Sequence, residues 1–595
     1  MRVKDAVLTA LHRPEDRDVK QLWTRWGEQV QKDAHTDTYV PFPEYPRPQM
    51  KREQYEILNG WWQYAIKDTW EKPETWDGRI LVPFSPETAL SGVERQLRPE
   101  EYLWYRREIF VTERPEKKRL LLHFGAVDQC CALWVNGKAV LRHVGGYLPF
   151  TADITDAVRE GNNEICLRVQ DYSDTSYHSR GKQTLNRGGM FYTAQSGIWQ
   201  TVWSEWVPET YISSLRLTPL YDGGKLEIAA ETESAGAESL AVRARVYDRG
   251  RLISEIEGAA GSALQAEIPD VKSWSPEDPF LYDLEIEYGE DRVRSYFAMR
   301  CITVEKDCKG VPRLCLNHQP YFQKGLLDQG YWPEGLYTPP CEQAFVWELE
   351  QVKALGFNML RKHLKIEPLR WYYHCERLGI LVWQDMVNGG GKYSRLATCY
   401  LVTVLPPLAR LLPDRLYGLL ARKDAAGRRE WMRECRETVK YLCSSPCIAA
   451  WVPFNEGWGQ FDAGRAVREI RKLDRTRLID EASGWYDQGH GDLRSIHNYF
   501  YRLKVPKDRR PVALTEYGGY ACFLEEHAFA PKAYGYRTCR GTEEFREAYE
   551  KLEETVEALK PHGLCASVYT QLSDVEEEVN GLFTYDRKVC KISQG

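Results

Sequence analysis

Glu456 and Glu516 are the residues whose setting first suggests chemistry. Glu456 closes the run IAAWVPFNE and Glu516 closes RPVALTE; each acid follows an apolar segment and precedes a glycine-bearing loop. Either acid alone reads as a helix cap or a solvated carboxylate. The two together, with Asn455 beside one and Tyr517-Gly518-Gly519 beside the other, meet the demand of acetal hydrolysis. That reaction needs one carboxyl group to protonate the leaving oxygen and a second to stabilise or attack the oxocarbenium-like centre.

Such acids must be carried to a common place, and the elements around them suggest how. After about residue 302 eight apolar runs appear: YFQKGLL, FNMLRKH, ILVWQDM, IAAWVPF, RLIDEA, SIHNYF, PVALTE and CASVYTQ. Helical stretches separate many of them. QAFVWELEQVKAL repeats Phe345, Leu349 and Val352 at helical spacing, and EEFREAYEKLEETVEAL is closed by Gly563 after a proline. Alternation of this kind predicts a (β/α)8 TIM barrel over residues 302–595, with both glutamates at the carboxyl ends of strands, where such barrels do their chemistry. The stretch 389–427 does not fit the repeat and reads as an insertion near the site. The end at KVCKISQG leaves little chain for an eighth helix.

Upstream the rhythm is that of strands. Residues 46–206 hold short alternating segments such as LWYRREIFV and KRLLLHF, and Asn136-Gly137 separates ALWV from AVLRHV in the manner of a type I′ hairpin. Residues 207–301 repeat the pattern in RLTPLYD, KLEIAAE and VRARVYD, with turns at Asp222-Gly223-Gly224 and Asp248-Arg249-Gly250. Two β-sandwiches follow, the second of immunoglobulin-like size. Residues 1–45 form a polar amino-terminal extension with no clear element.

Composition narrows the classes. A chain of 595 residues exceeds one hydrophobic core, and no apolar run reaches the roughly 18 residues a spanning helix needs. The charged amino terminus does not read as a secretory signal, which leads us to expect a cytoplasmic protein. The net charge of −6 supplies no basic stripe for nucleic acid. Sixteen scattered cysteines without a CxxC pair read as reduced, buried thiols, and Cys435, Cys443 and Cys447 lack a nearby histidine to complete a zinc site. The 20 Trp and 35 Tyr suit sugar rings, whose C–H faces stack on aromatic planes, although aromatics also fill cores.

The segments FNMLR, CERLGILVWQD, WVPFNEGWGQ and TEYGG, with SGIWQTVW near 196 and WSPEDPFLY near 274, make the chain resemble the family 2 glycoside hydrolases, the clan of β-galactosidases, β-glucuronidases and β-mannosidases. The resemblance runs from about residue 46 to the end. It implies a jelly-roll, sugar-binding-like sandwich over 46–206, an immunoglobulin-like sandwich over 207–301 and a catalytic barrel after them. It also implies that Glu456 is the acid/base and Glu516 the nucleophile of a covalent, retaining mechanism. Arg361 matches the family's arginine after strand two, and Asn455 would bind the sugar 2-hydroxyl.

From the residues themselves, Glu456 must hold a proton when it acts, which burial beneath Trp451 and Trp458, or the charge of Glu516, would favour. Glu516 must be ionised, helped by Arg361 or by Tyr499 of HNYF. An interior arginine serves equally well as a structural ion pair. In a retaining site the two carboxyls are expected about 5 to 5.5 Å apart.

Two departures from the family pattern bear on the substrate. Where Ser-His-Tyr-Pro often follows the arginine, this chain reads Arg361-Lys362-His363-Leu364-Lys365, and where β-glucuronidases carry Asn-x-Lys it reads Glu578-Val579-Asn580-Gly581-Leu582. On a strand Arg361, His363 and Lys365 would share one side. They could grip a uronate, or neutralise Glu456, Glu516, Glu367 and Asp385. The full substrate-binding set expected is Asn455, Arg361, His363, Lys365, Asp328, Trp458, His497, Tyr499 and Tyr569, with no metal and no cofactor.

The function expected is a retaining exo-β-glycosidase of β-galactoside type. A β-uronidase acting on galacturonides or glucuronides is the alternative on the same fold, and an inactive carbohydrate-binding protein is the alternative from another class. A carbohydrate is the partner expected, with self-association into a homo-oligomer as an option and neither nucleic acid nor membrane.

Overall fold

A computed structural model describes residues 19–234, 240–394, 398, 402 and 409–593. The start of the amino-terminal extension and much of the middle of the 389–427 stretch fall outside the described residues.

The first sandwich pairs a six-stranded antiparallel sheet with a four-stranded one. Gly60–Lys67, Tyr102–Val111 and Gly161–Gln170 run through the larger sheet, while Lys118–Phe124 and Val202–Pro208 form the centre of the smaller. Alternate residues of both face inward, so Trp62, Leu103, Tyr105, Leu122, Phe124 and Leu167 form one core. The predicted hairpin is present: Asn136 and Gly137 take φ of 50° and 78° between Cys130–Val135 and Lys138–Val144.

The second unit packs a three-stranded sheet on a four-stranded one, around Ile212, Leu226, Ile228, Val246, Leu284 and Ile286. Arg249 and Gly250, with φ of 49° and 81°, turn Ala241–Asp248 into Arg251–Ala259.

The last unit contains an eight-stranded sheet, all of whose pairings are parallel. Its strands are β1 Gln323–Asp328, β2 Met359–Lys362, β3 Leu381–Asp385, β4 Ile448–Val452, β5 Leu478–Ile479, β6 Arg494–Asn498, β7 Val512–Gly518 and β8 Leu564–Thr570. The spatial order 5-4-3-2-1-8-7-6 is consistent with a TIM barrel whose seam lies between β5 and β6. There the Asp492 N–H donates to Ile479 O at 2.8 Å, and the Asp492 carboxylate accepts from Ile479 N–H.

All eight apolar runs of the sequence coincide with these strands. Leu327, Met359, Leu381, Trp383, Ala450, Val452 and Val568 fill the interior. Below it the antiparallel sheet of Ile302–Lys306, Pro312–Leu316 and Gln319–Pro320 presses Ile302, Leu314 and Leu316 against the same core.

Helices cover the outside unevenly. The described ones are α1 Arg25–Asp33, α2 Glu342–Ala354, α3 Leu369–Leu378, α4 Ala425–Leu442, α5 Ala463–Leu473 and α6 Thr542–Leu559. Among the described residues no α-helix follows β5, β6 or β8; loops close those units. In α2 the predicted stripe of Phe345, Leu349 and Val352 is buried, each worth about 1.5 to 3 kcal/mol by apolar area. No described helix is long and apolar enough to cross a membrane.

The extension is not featureless. Thr24 caps α1 by accepting from Gly27 N–H, and its hydroxyl also bonds the buried Glu334. Trp26 packs on Trp332 and Trp347. The helix has only nine residues, too short to stand on local propensity, and tertiary contacts with the barrel hold it.

Candidate active site

The carboxyl ends of the barrel strands converge on Arg361. Its β2 position faces the interior, as does Met359 two residues before it, while Lys362 faces α3 with Nζ 4.3 Å from the Trp371 ring. The guanidinium is wholly buried and forks onto Asp385 of β3 at 2.9 and 3.0 Å. It also donates to Glu516 of β7 at 3.0 Å and to Asn455 Oδ1 at 2.9 Å. Burial works against its charge, but Asp385 and Glu516 outweigh it and raise its pKa.

Glu516 is thereby fixed as an anion. Burial would push its carboxyl up, yet His497 and Arg361 first, then His363 and the Tyr499 hydroxyl, hold it at about 2. Tyr499 donates to the second carboxylate oxygen, and its ring stacks on Tyr536 at 4.0 Å. Burial and the neighbouring Glu516 keep that phenol protonated, so it remains a donor.

Glu456 has different surroundings. It lies beyond β4 in a tight loop and takes a left-handed φ of 50°. Its carboxylate contacts His497 Nδ1 at 2.7 Å, and its side chain keeps 12% exposure against 5% for Glu516. His497 links the two acids: Nε2 is 3.0 Å from the Ser483 hydroxyl and 3.5 Å from Glu516. One oxygen of Glu456, one of Glu516 and a His497 ring nitrogen all lie within 4.8 Å of one another. An approach of this kind accords better with the roughly 5 to 5.5 Å between carboxyl groups in a retaining site than with the roughly 6.5 to 9.5 Å of an inverting one. The same three groups could ligate a cation.

The expected shield of Glu456 is corrected. Trp451 points outward and donates to Asp474 at 2.8 Å, because odd and even positions of β4 face opposite sides. Trp458 does lie by the cleft, packed on Phe191 and Tyr393.

The expected basic trio is corrected as well. Arg361 and His363 both face Asp385, the latter at 2.7 Å through Nδ1. Leu364 then takes a φ of 54°, which breaks the strand alternation and turns Lys365 away. Lys365 is fully buried and gives its three hydrogens to Gly330 O, Tyr337 O and Glu367. Burial lowers its amine to about 8 even though Glu367 opposes the shift. Asp328 is likewise enclosed, accepting from Lys362 and Gly330 N–H. Tyr569 lies beneath the loop after β7: a Cβ on Gly518, whose φ is 83°, would stand 2.3 Å from its ring, so only glycine fits there.

Asn455 keeps a polar atom in reserve. Its Oδ1 is held by Arg361, which orients the amide, and Nδ2 is buried without a partner among the described residues.

The cleft has a volume near 260 Å³ and is lined by Glu456, Trp458, Trp485, His497, Tyr499 and Tyr536, among others. Sequence reasoning missed one of its walls. Residues 177–195 of the first sandwich reach across the barrel mouth, where Ser179 bridges Gly389 and Met190 lines the cleft.

Two family models match the chain: the sugar binding domain of glycosyl hydrolases family 2 over residues 91–203, and glycosyl hydrolases family 2 over 210–300. A β-galactosidase of Thermoanaerobacter pseudethanolicus is 22% identical over 462 residues, 72% of this chain and 55% of that protein. Human β-glucuronidase is 24% identical over 396 residues, covering 58% and 59%. The chain therefore spans only about half the length of these relatives.

Among solved structures, a β-D-glucuronidase of Dictyoglomus thermophilum aligns with a TM-score of 0.71 at 18% identity, over 92% of this chain and 97% of that one. A β-galacturonidase of Eisenbergiella tayi bound to glycerol aligns at 0.68 and 18%, over 92% and 96%. At such identities the likeness is one of fold.

Proposed function

We propose that this chain, a member of the family 2 glycosyl hydrolases, is a retaining exo-β-glycosidase working by double displacement. The observation that carries the reading is the pairing of Glu456 with Glu516, their oxygens within 4.8 Å and their surroundings opposite in kind. Glu516, ionised and aimed by Arg361 and Tyr499, attacks the anomeric carbon. Glu456 delivers its proton to the departing oxygen, then takes a proton from the water that releases the glycosyl-enzyme. Asn455 Nδ2 is suited to the 2-hydroxyl of the sugar, a contact that strengthens as charge develops.

The domain reading that goes with this is a jelly-roll sandwich over 46–206, an immunoglobulin-like sandwich over 207–301 and the catalytic barrel from 302, after the extension of 1–45. A β-galactoside-type glycon is the reading the sequence suggested, with a β-uronide as its alternative. The β-uronide alternative gains nothing from Lys365, whose donors are all taken inside the protein. A cytoplasmic setting agrees with the described cysteines, all of which are free.

The test is release of nitrophenol from a panel of aryl β-glycosides, uronides included, with the anomer of the first-formed sugar read by proton NMR. Turnover with retention is expected. Inversion would defeat the mechanism, and no turnover of any member would favour the carbohydrate-binding alternative.

A further inference from the structure

Among the described residues, the cations near the cleft are matched by protein groups with one exception. Arg361 serves Asp385 and Glu516, Lys362 serves Asp328 and Glu367, and Lys365 serves Glu367. Arg410 and Arg494, which line the cleft wall, both lie on Asp487. Lys182 differs. The residue is 6% exposed, yet its Nζ makes no hydrogen bond or ion pair among the described residues. It is flanked instead by the rings of Tyr192 at 5.5 Å and Trp458 at 5.7 Å.

The backbone is built to put it there. The N–H groups of Arg180 and Gly181 donate to Asn388 O beyond β3, at 2.9 and 3.1 Å, and Tyr192 N–H donates to Lys182 O at 3.0 Å. Gly181, with a φ of 62°, lies so near the end of β2 that a Cβ would stand 2.9 Å from Leu364 O. A side chain leaving the next residue thus starts over the mouth of the barrel, beside His363 and Trp458. After burial, the charge of Lys182 is the largest influence holding His363 neutral, which independently puts the two close together. Asn388, which anchors this segment, has a buried side-chain amide with neither its nitrogen nor its oxygen partnered among the described residues.

Lys182 is only 6% exposed and the protein gives its ammonium no acceptor among the described residues, so a ligand that brings one gains a contact not already taken. We propose that Lys182, supplied by the first sandwich and not by the barrel, is the specificity-determining residue of this site and pairs with a carboxylate on the glycon, which makes β-uronides the substrate class. The aromatic rings on either side limit water around Nζ and strengthen such a pair. This assignment rests on the glycosidase reading above and replaces the galactoside preference that the sequence suggested.

The experiment compares kcat/KM for nitrophenyl β-glucuronide and β-galacturonide with that for the matching β-glucoside and β-galactoside, in the wild type, Lys182→Met and Lys182→Arg. One uronide is expected to exceed its neutral counterpart by about ten-fold to a hundred-fold, the range of a charge-assisted contact. Lys182→Met should remove that margin by lowering kcat/KM for the uronide far more than for the hexoside, and Lys182→Arg should keep part of it. Thermal unfolding reports folding of each variant. Hexosides preferred by the wild type, or equal losses on both classes in Lys182→Met, would overturn the assignment while leaving the glycosidase intact. Failure of the wild type on the entire panel would instead defeat the glycosidase reading itself.

Discussion

Glu516 and Glu456 are close neighbours with contrasting supports. Glu516 is enclosed by Arg361 of β2, His497 of β6 and Tyr499 from the loop after β6, and Arg361 is itself held by the Asp385 carboxylate of β3. Glu456 has one titratable side-chain partner, His497, and a loop backbone with positive φ. A carboxylate that must stay charged benefits from saturation, whereas one that must gain and lose a proton needs a partner able to follow it. On the proposed assignment, the barrel builds the nucleophile into rigid strands and leaves the acid on a loop.

The largest test of this contrast removes each acid in turn. Glu516→Gln should abolish turnover of aryl glycosides, while Glu456→Gln should leave the first step on activated leaving groups partly alive, because these need little protonation. Azide should rescue the Glu456 variant with retention and the Glu516 variant with inversion; the opposite pairing would exchange the roles.

Arg361→Met comes next. It leaves Asp385 and Glu516 buried without their shared cation, which should cost about 3 to 5 kcal/mol of stability and suppress kcat. Urea unfolding and steady-state kinetics measure both, and unchanged stability would show that the network does not hold the strand ends.

His497→Gln sharpens the comparison at the one residue both acids share. After burial, which opposes it, the charge of His497 is the largest influence holding the Glu516 carboxyl down. Its loss should move the acidic limb of the kcat/KM profile to higher pH. An unmoved limb would assign that control to Arg361 alone.

The smallest effect concerns acid stability. Glu516 has a folded pKa near 2, below its ordinary 4.5. Its contribution is present above the ordinary value and is lost as pH falls through the interval towards 2. The melting temperature of the wild type relative to Glu516→Gln should therefore decline from pH 5 to pH 2, and a constant difference would count against the ion-pair account.

Much of the barrel was legible because its strands are buried on both faces and read as continuous apolar runs. The two glutamates stood out only as a pair, since either alone reads as a cap or a solvated acid, and the structure brings the two to one place. Position on a strand end did not settle direction. Leu364 leaves the strand conformation, so the two-residue period that places Arg361 and His363 together fails at Lys365. Trp451 was misjudged because β4 packs its outer face on helices, and an aromatic there resembles one in the cleft. Lys182 and Met190 carried no local signal, because they belong to a different sandwich and are brought to the cleft only by tertiary packing. Helix α1 was missed because it is short and its hold on Trp332 and Trp347 is a long-range contact.

The strap formed by residues 177–195 has a further consequence for how such an enzyme could be altered. On the proposed reading, bond cleavage resides in the barrel, while one wall of the cleft is lent by a neighbouring unit through backbone bonds to Asn388 and the bridge to Gly389. The two properties are thus carried on separable stretches of chain. Grafting a different strap between the same anchor points would change which sugar is accepted without touching the residues that break the bond. By the same logic, an isolated barrel would keep Glu456 and Glu516 but lose Met190 of the cleft wall and the lysine to which selectivity is assigned above.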